Sequence, residues 1–97
     1  MNEYLIRRIP YSTPDGCRTL EYTLLADMPG PGVPGGTLYG IRISMYDAAG
    51  ALADEAERFG LTPCRETAVR YLDLLIRNTV SPCTLQDVLD DLTQAEP

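Results

Sequence analysis

Residues 62–80, TPCRETAVRYLDLLIRNTV, decide the fold, because their spacing predicts one amphipathic helix. At about 100° per residue, one broad face collects the apolar side chains Cys64, Ala68, Val69, Tyr71, Leu72, Leu75 and Ile76. A second face carries two i,i+4 pairs with the acid first, Glu66–Arg70 and Asp73–Arg77. Thr62 suits the N-cap and Pro63 the first helical position. This helix therefore needs a broad apolar surface to pack against.

Three strands are predicted ahead of the helix. Residues 3–11 (EYLIRRIPY) and 18–26 (RTLEYTLLA) flank a turn at 12–16, so we expect them to pair as an antiparallel hairpin. Pro10 places the first of them at an edge or at the end of its ladder. Residues 37–46 (TLYGIRISMY) form the third strand.

The alternation of residues in the second and third strands indicates which face is buried. The apolar face consists of Leu20, Tyr22, Leu24, Tyr39, Ile41, Ile43 and Met45. The other face carries Thr19, Glu21, Thr23, Arg42 and Ser44, and it is polar enough to stand in water. We therefore expect a sheet edge to be the contact surface.

Residues 51–59 fit two structures. Helix propensity favours a short helix that ends at Gly60, whereas the type I turn predicted at 47–50 favours a returning strand. We prefer the strand. Beyond the 62–80 helix, a second amphipathic helix is predicted from Leu85, Val88, Leu89 and Leu92, with Asp87, Asp90 and Asp91 opposite.

This order predicts one α+β domain over residues 1–97. It is an antiparallel β-meander of three to four strands, followed by two C-terminal helices packed on one face. Residues 27–36 (DMPGPGVPGG) are expected to form an exposed loop within it, because glycines and prolines break both helices and central strands. Leu74 lies off the apolar face, where the last helix or another subunit would cover it.

Three stretches resemble an uncharacterised bacterial family of small proteins. They are YGIRI at 39–43, AERFGLTP at 56–63 and VSPCTLQDVLDDL at 80–92. The resemblance spans the C-terminal two-thirds of the chain. It implies a strand-rich N-terminal part, a fourth strand before the long helix and a Ser-Pro-led C-terminal helix. It implies no activity and no site residues.

The composition argues against several functional classes. The chain has neither lysine nor histidine, which removes P-loop, Schiff-base and imidazole general-base chemistry. A net charge of −6 disfavours nucleic acid. No apolar run reaches the roughly 18–20 residues of a membrane span, and the N-terminus does not read as a secretory signal. We expect a cytoplasmic protein with no nucleic-acid or membrane partner.

The glycine- and proline-rich stretch contains two short motifs. Residues 30–35 spell GxGxxG, but two prolines remove N–H donors and a strand follows, so a plain loop is expected instead of a nucleotide site. Pro31 and Pro34 form a minimal polyproline pattern that the interleaved glycines weaken. Neither motif is taken as a binding site.

The cysteines leave two interpretations open. Cys64 and Cys83 each follow a Thr-Pro or Ser-Pro pair at a helix start, where a thiol is activated for redox chemistry. The alternative, which we prefer, is a small buried apolar residue, because no histidine is present to act as a base. Cys17 is expected to be inert. Three cysteines without a CxxC pair argue against disulfides and zinc.

Two further sets of side chains are weighed as sites. Asp87, Asp90 and Asp91 are interpreted as a solvated helix face, not a cation site. Tyr4, Tyr11 and Tyr46 lie near strand ends and form a candidate contact patch, with at least one or two of them expected to belong to the core instead.

The resulting prediction is a protein-interaction or regulatory domain without catalytic activity, which binds a protein partner or a second copy of itself. No catalytic, cofactor-binding or metal-binding residue is predicted. The alternative function is thiol-based redox sensing through Cys64 or Cys83. A small-molecule binder would need an enclosed apolar pocket between sheet and helices.

Overall fold

The computed structural model describes residues 2–14, 16–27 and 37–95. Within them the chain runs through β1 (Asn2–Thr13), β2 (Gly16–Asp27), β3 (Leu38–Tyr46), β4 (Leu52–Thr62), α1 (Arg65–Arg77), a 3₁₀ turn (Pro82–Thr84) and α2 (Leu85–Ala95). The described strands form one antiparallel sheet in the order β1-β2-β3-β4. The predicted α+β meander is confirmed, and residues 52–59 belong to a strand instead of a helix.

Part of the predicted loop lies outside the described residues. Asp27 closes β2, and residues 28–36, with both motifs weighed for that stretch, are not among those described.

Two short turns set the register of the hairpins. At the first, Thr13 pairs with Gly16, whose φ of 142° suits glycine, and the Thr13 hydroxyl donates to the Gly16 carbonyl at 3.0 Å. At the second, the Gly50 amide donates to the Asp47 carbonyl at 3.0 Å, as the predicted turn requires. The Asp47 carboxylate also accepts from the backbone amides of Ala49 and Ala51, both at 2.9 Å.

The core lies between one face of the sheet and both helices. Leu20, Tyr22, Leu24, Ile41 and Ile43 come from the sheet, and Ala68, Tyr71, Leu72, Leu75, Leu85 and Leu89 come from the helices. These are the apolar faces that alternation and helical periodicity predict. We call this side of the sheet the helix face and the opposite side the open face.

The N-terminus of α1 differs from the prediction. Thr62 is the last residue of β4, where it pairs with Tyr39, so it cannot serve as the helix cap. The N-cap is Cys64, and the Thr62 hydroxyl oxygen instead accepts from the Cys64 amide at 3.1 Å. The sheet ladder thus delays the helix start by two residues.

A bulge brings β3 and β4 into close contact beside the helices. Tyr39 pairs with Thr62 and Ile41 pairs with Arg58, so extra β4 residues lie opposite Gly40. A Cβ atom at Gly40 would collide with the Arg58 carbonyl oxygen. Glycine is therefore required at this position by space.

Candidate functional site

The outer edge of β1 carries three consecutive exposed apolar side chains, Tyr4, Leu5 and Ile6. Their exposed fractions are 47%, 55% and 39%. β1 is the first strand of the meander, so within the described chain it pairs with β2 on one side only. We call these three residues the edge patch. Apolar groups beside an unpaired strand edge are typical of a surface that another chain covers.

A β-bulge at Ile6 explains why three neighbouring side chains are all exposed. Leu5 pairs with Thr23 and Arg7 pairs with Tyr22, which leaves Ile6 without an opposing residue. Tyr4 opposes Leu24, so Tyr4 lies on the helix face, whereas Leu5 lies on the open face. The patch therefore extends around the edge and onto both sides of the sheet.

The open face next to the patch holds a row of ion pairs that reaches across the sheet. Arg42 on β3 binds Glu57 on β4 through Nε at 2.8 Å and binds Glu3 on β1 through Nη1. Burial acts to lower the pKa of Arg42, but hydrogen bonds and the charges of Glu57 and Glu3 outweigh it and raise that pKa. The row thus ends at the β1 edge with an acid, Glu3.

A second, shorter row ends at the same edge with a base. The Arg8 Nη2 atom lies 3.0 Å from Glu21 Oε1 on β2. The Arg8 side chain is 63% exposed, whereas that of Glu21 is 14% exposed. The edge of β1 therefore presents one acid and one base on the open face, separated by the edge patch.

The opposite edge of the sheet, β4, is partly covered. The Gln86 side chain of α2 donates to the Glu57 carbonyl oxygen at 2.9 Å. Both terminal nitrogens of Arg58 donate to Asp90 Oδ1, at 2.9 and 2.8 Å. This corrects the interpretation of Asp90 as a purely solvated acid, while Asp87 and Asp91 are exposed as expected.

The predicted tyrosine patch is only partly present. Tyr4 is exposed, but Tyr11 packs against the core and Tyr46 is half-buried. Leu74 is half-buried as well. The sequence pattern did not identify Leu5 and Ile6 as contact residues, because the alternation of apolar and polar residues along β1 does not show the bulge that exposes them.

Cys64 and Cys83 contradict the prediction that they are buried. Cys17, Cys64 and Cys83 are all exposed and unpaired. Cys64 occupies the N-cap, off the apolar face, because the helix begins later than predicted. Its side chain makes no regular cap hydrogen bond, yet hydrogen bonding from Thr67 lowers its pKa, with a smaller contribution from the backbone of Glu66.

Other candidate sites are weak in the described part of the chain. An open groove of about 320 Å³ lies beside the 47–50 turn and is lined by Arg8, Thr19, Tyr46 and turn residues. It is not the enclosed apolar pocket that a small-molecule binder needs. Among the described residues, no group of three or more His, Cys, Asp or Glu side chains is arranged to hold a metal ion.

The described helices are all too short or too polar to cross a bilayer.

Comparison with known proteins places the chain in a family. A family model described as "Family of unknown function (DUF6514)" matches residues 12–95, and the chain therefore belongs to that family. No curated protein and no solved structure matches the chain. The matched region begins near the end of β1, so the edge patch lies outside it.

Proposed function

We propose that this member of the DUF6514 family is a cytoplasmic protein-interaction domain without catalytic activity, which binds its partner by strand addition at the outer edge of β1. The observation that carries this proposal is the edge patch, where Tyr4, Leu5 and Ile6 are exposed on a strand whose outer side has no described pairing. Strand addition supplies backbone hydrogen bonds for affinity, and adjacent side chains supply specificity.

The lack of catalytic activity rests on composition. Without lysine or histidine, imidazole general bases and side-chain amine nucleophiles are absent from the whole sequence. The cytoplasmic location is supported by three exposed cysteines that form no disulfide, which suits a reducing compartment.

The experiment that tests the proposal is site-specific photo-crosslinking in the native host. A photoreactive amino acid replaces Leu5 in one variant and Leu52 in a matched control, because Leu52 is 53% exposed on the other outer strand. We expect position 5 to form adducts with a protein chain that excess unlabelled protein suppresses, and position 52 to form none. Equal labelling at both positions, or no adduct from position 5, would contradict strand addition at β1.

A second candidate function is thiol-based redox sensing, favoured by the exposure and lowered pKa of Cys64. The Cys64 thiolate would attack a peroxide, forming an S–O bond as the O–O bond breaks, and would yield a sulfenic acid and hydroxide. Cys83 is the other candidate thiol, with its sulfur 3.1 Å from the Ser81 hydroxyl oxygen.

Thiol kinetics decide this alternative. Single-cysteine variants that retain Cys64, Cys83 or Cys17 are titrated with a thiol reagent at neutral pH. Redox sensing requires Cys64 or Cys83 to react faster than both Cys17 and a free model thiol. If neither does, the redox function is ruled out, and the interaction proposal is unaffected.

A further inference from the structure

We infer that the partner at the β1 edge is a second copy of this chain, and that the two β1 strands pair antiparallel with Glu3 opposite Arg8 of the second copy. This inference rests on the proposed function and specifies its partner. It follows from the register of β1, the bulge at Ile6 and the charges at the edge. Two sheets would join into one continuous sheet across a two-fold axis.

The faces of the β1 residues determine the register. When two identical strands pair antiparallel in one sheet, directly opposed residues lie on the same face. Glu3 opposes Leu25 and Arg8 opposes Glu21 within the chain, so both lie on the open face. Tyr4 opposes Leu24 and Arg7 opposes Tyr22, so both lie on the helix face.

The bulge makes a self-complementary register possible. Residues 3 and 8 differ by an odd number, and in a regular strand they would lie on opposite faces. The extra residue Ile6 shifts the alternation, so Glu3 and Arg8 share a face, as do Tyr4 and Arg7. One register then satisfies both pairs, with Leu5 opposite Ile6 of the second copy at the two-fold axis.

The charges are complementary in that register. Within one chain the row Glu57–Arg42–Glu3 ends at the edge with an acid, and the Glu21–Arg8 row ends with a base. Across the axis the first row continues into Arg8 of the second copy and then into its Glu21. The charges alternate along the entire row, and the two-fold symmetry produces the same row twice.

The edge patch and Pro10 fit the same arrangement. Tyr4, Leu5 and Ile6 surround the axis, where the second copy would cover their exposed surfaces. Tyr4 would face Arg7 of the second copy, a pairing that favours a cation–π contact. Pairing would end at Ile9, just before Pro10, whose missing N–H would otherwise interrupt the ladder.

Charge-swap complementation tests the inference on the full chain. Glu3→Arg places two bases opposite each other in its own dimer, and Arg8→Glu places two acids opposite each other. In a mixture, each interface again pairs acid with base. Light scattering over a concentration series under reducing conditions measures the dimer dissociation constant. We expect the wild type to dimerise and each variant alone to have a dissociation constant about tenfold higher or more. The mixture of the two variants should recover dimerisation.

Two further variants locate the contact. Ile6→Lys is expected to weaken the dimer by about tenfold, because it places like charges beside the two-fold axis, whereas Leu52→Lys leaves the dimer unchanged. Circular dichroism confirms that each variant is folded. A dimer that Ile6→Lys leaves intact would show that the interface lies elsewhere.

Disulfide trapping tests the register while keeping both charge rows. In a background with Cys17, Cys64 and Cys83 replaced by serine, Tyr4→Cys is mixed with Arg7→Cys. Opposed Cβ atoms lie about 4.5–5.5 Å apart, so the mixture should form a disulfide-linked dimer on oxidation. Tyr4→Cys alone should not, because its two copies would lie about 10 Å apart along the strands. Efficient linkage in the single variant and none in the mixture would overturn the register.

The outcomes separate this inference from the proposed function. If the wild type is monomeric at every concentration while position 5 crosslinks to a different protein, the second-copy inference fails and strand addition stands. If position 5 yields no adduct and the wild type is monomeric, both fail. A dimer that shows charge-swap recovery supports both.

Discussion

The two outer strands of this sheet, β1 and β4, differ in how their outer edges are covered. The second half of β4 lies under the 3₁₀ turn and α2, with Gln86 bonded to its backbone and Asp90 bonded to Arg58. The first half of β4 is acidic, with Asp54 and Glu55 exposed. β1 instead makes its main contacts with β2 and exposes apolar side chains.

Within the residues that the structure describes, the fold protects one edge and leaves the other uncovered. Natural sheets protect their edges with charges, bulges or a covering helix. On β4 the chain uses both charge and cover. On β1 it uses a bulge, but that bulge exposes apolar residues and places Glu3 and Arg8 on one face of the sheet, as the proposed symmetric pairing requires.

A leucine-to-alanine substitution on the helix side and on the β1 edge should give the largest difference in the free energy of unfolding. Leu89 of α2 is fully buried above the sheet, and Leu5 is 55% exposed on β1. Leu89→Ala is expected to lower the free energy of unfolding by about 3–4 kcal/mol, because it leaves a cavity. Leu5→Ala should change it by less than about 0.5 kcal/mol. Urea unfolding of dilute protein, followed by circular dichroism, measures both, and comparable losses would refute the contrast.

A substitution in the contact between β3 and β4 should lower the free energy of unfolding by nearly as much. Gly40→Ala introduces a Cβ that collides with the Arg58 carbonyl oxygen. We expect a loss of about 3 kcal/mol in the free energy of unfolding, because backbone must move. Gly50→Ala is the control: its φ of 86° is strained for alanine but the space is open, so the loss should be about 1 kcal/mol. An equal loss in the control would mean that crowding at β4 is unimportant.

Alkaline pH should weaken the helix face through Tyr22. Burial, followed by the nearby Tyr11, raises the pKa of Tyr22 from 10.0 to about 12, and its hydroxyl donates to the Val80 carbonyl at 2.9 Å. Between these pH values the unfolded chain loses the Tyr22 proton while the folded chain retains it. The contribution of Tyr22 to the free energy of unfolding is therefore fully present below pH 10. It is lost as the pH rises through the folded-state pKa of about 12, which lowers the free energy of unfolding by on the order of 2 kcal/mol.

Tyr22→Phe provides the control for this pH dependence, since other tyrosines titrate in the same range. The variant should lose about 1 kcal/mol at neutral pH, because the Val80 carbonyl loses its donor. It should then show a shallower decline toward high pH than the wild type. Parallel stability curves for the two proteins would rule out a contribution from Tyr22.

The regular parts of this fold could be predicted from the sequence, because period-two and 3.6-residue patterns report directly on burial. Leu20, Tyr22 and Leu24 on β2 and Leu72 and Leu75 on α1 are buried as their spacing predicts. The Asp47–Gly50 turn was predictable for a similar reason, since its residues determine the local backbone conformation.

The irregular parts could not be predicted, because tertiary pairing overrides local preference there. Thr62 is a good N-cap by type, but its pairing with Tyr39 keeps it in β4 and moves Cys64 to the cap and into solvent. The bulge at Ile6 has no local signal in the sequence, and it determines which β1 residues share a face. The candidate site depends on that bulge, so its position required the structure.

The smallest expected effect distinguishes a structural aspartate from its solvated neighbours on α2. Asp90→Asn should lower the free energy of unfolding by about 0.5 kcal/mol, because its ion pair with Arg58 is half-exposed. Asp91→Asn, next to it on the same helix, exposed and outside the first turn, should leave it unchanged. Hydrogen exchange should detect this substitution more sensitively than global stability does, because the ion pair holds α2 over β4. Backbone amides of β4 should exchange faster in Asp90→Asn than in the wild type. The exchange rates of the β1 amides should not change. Faster exchange in both outer strands would mean that the cover over β4 is not local, and the difference between the two edges would then be one of sequence and not of packing.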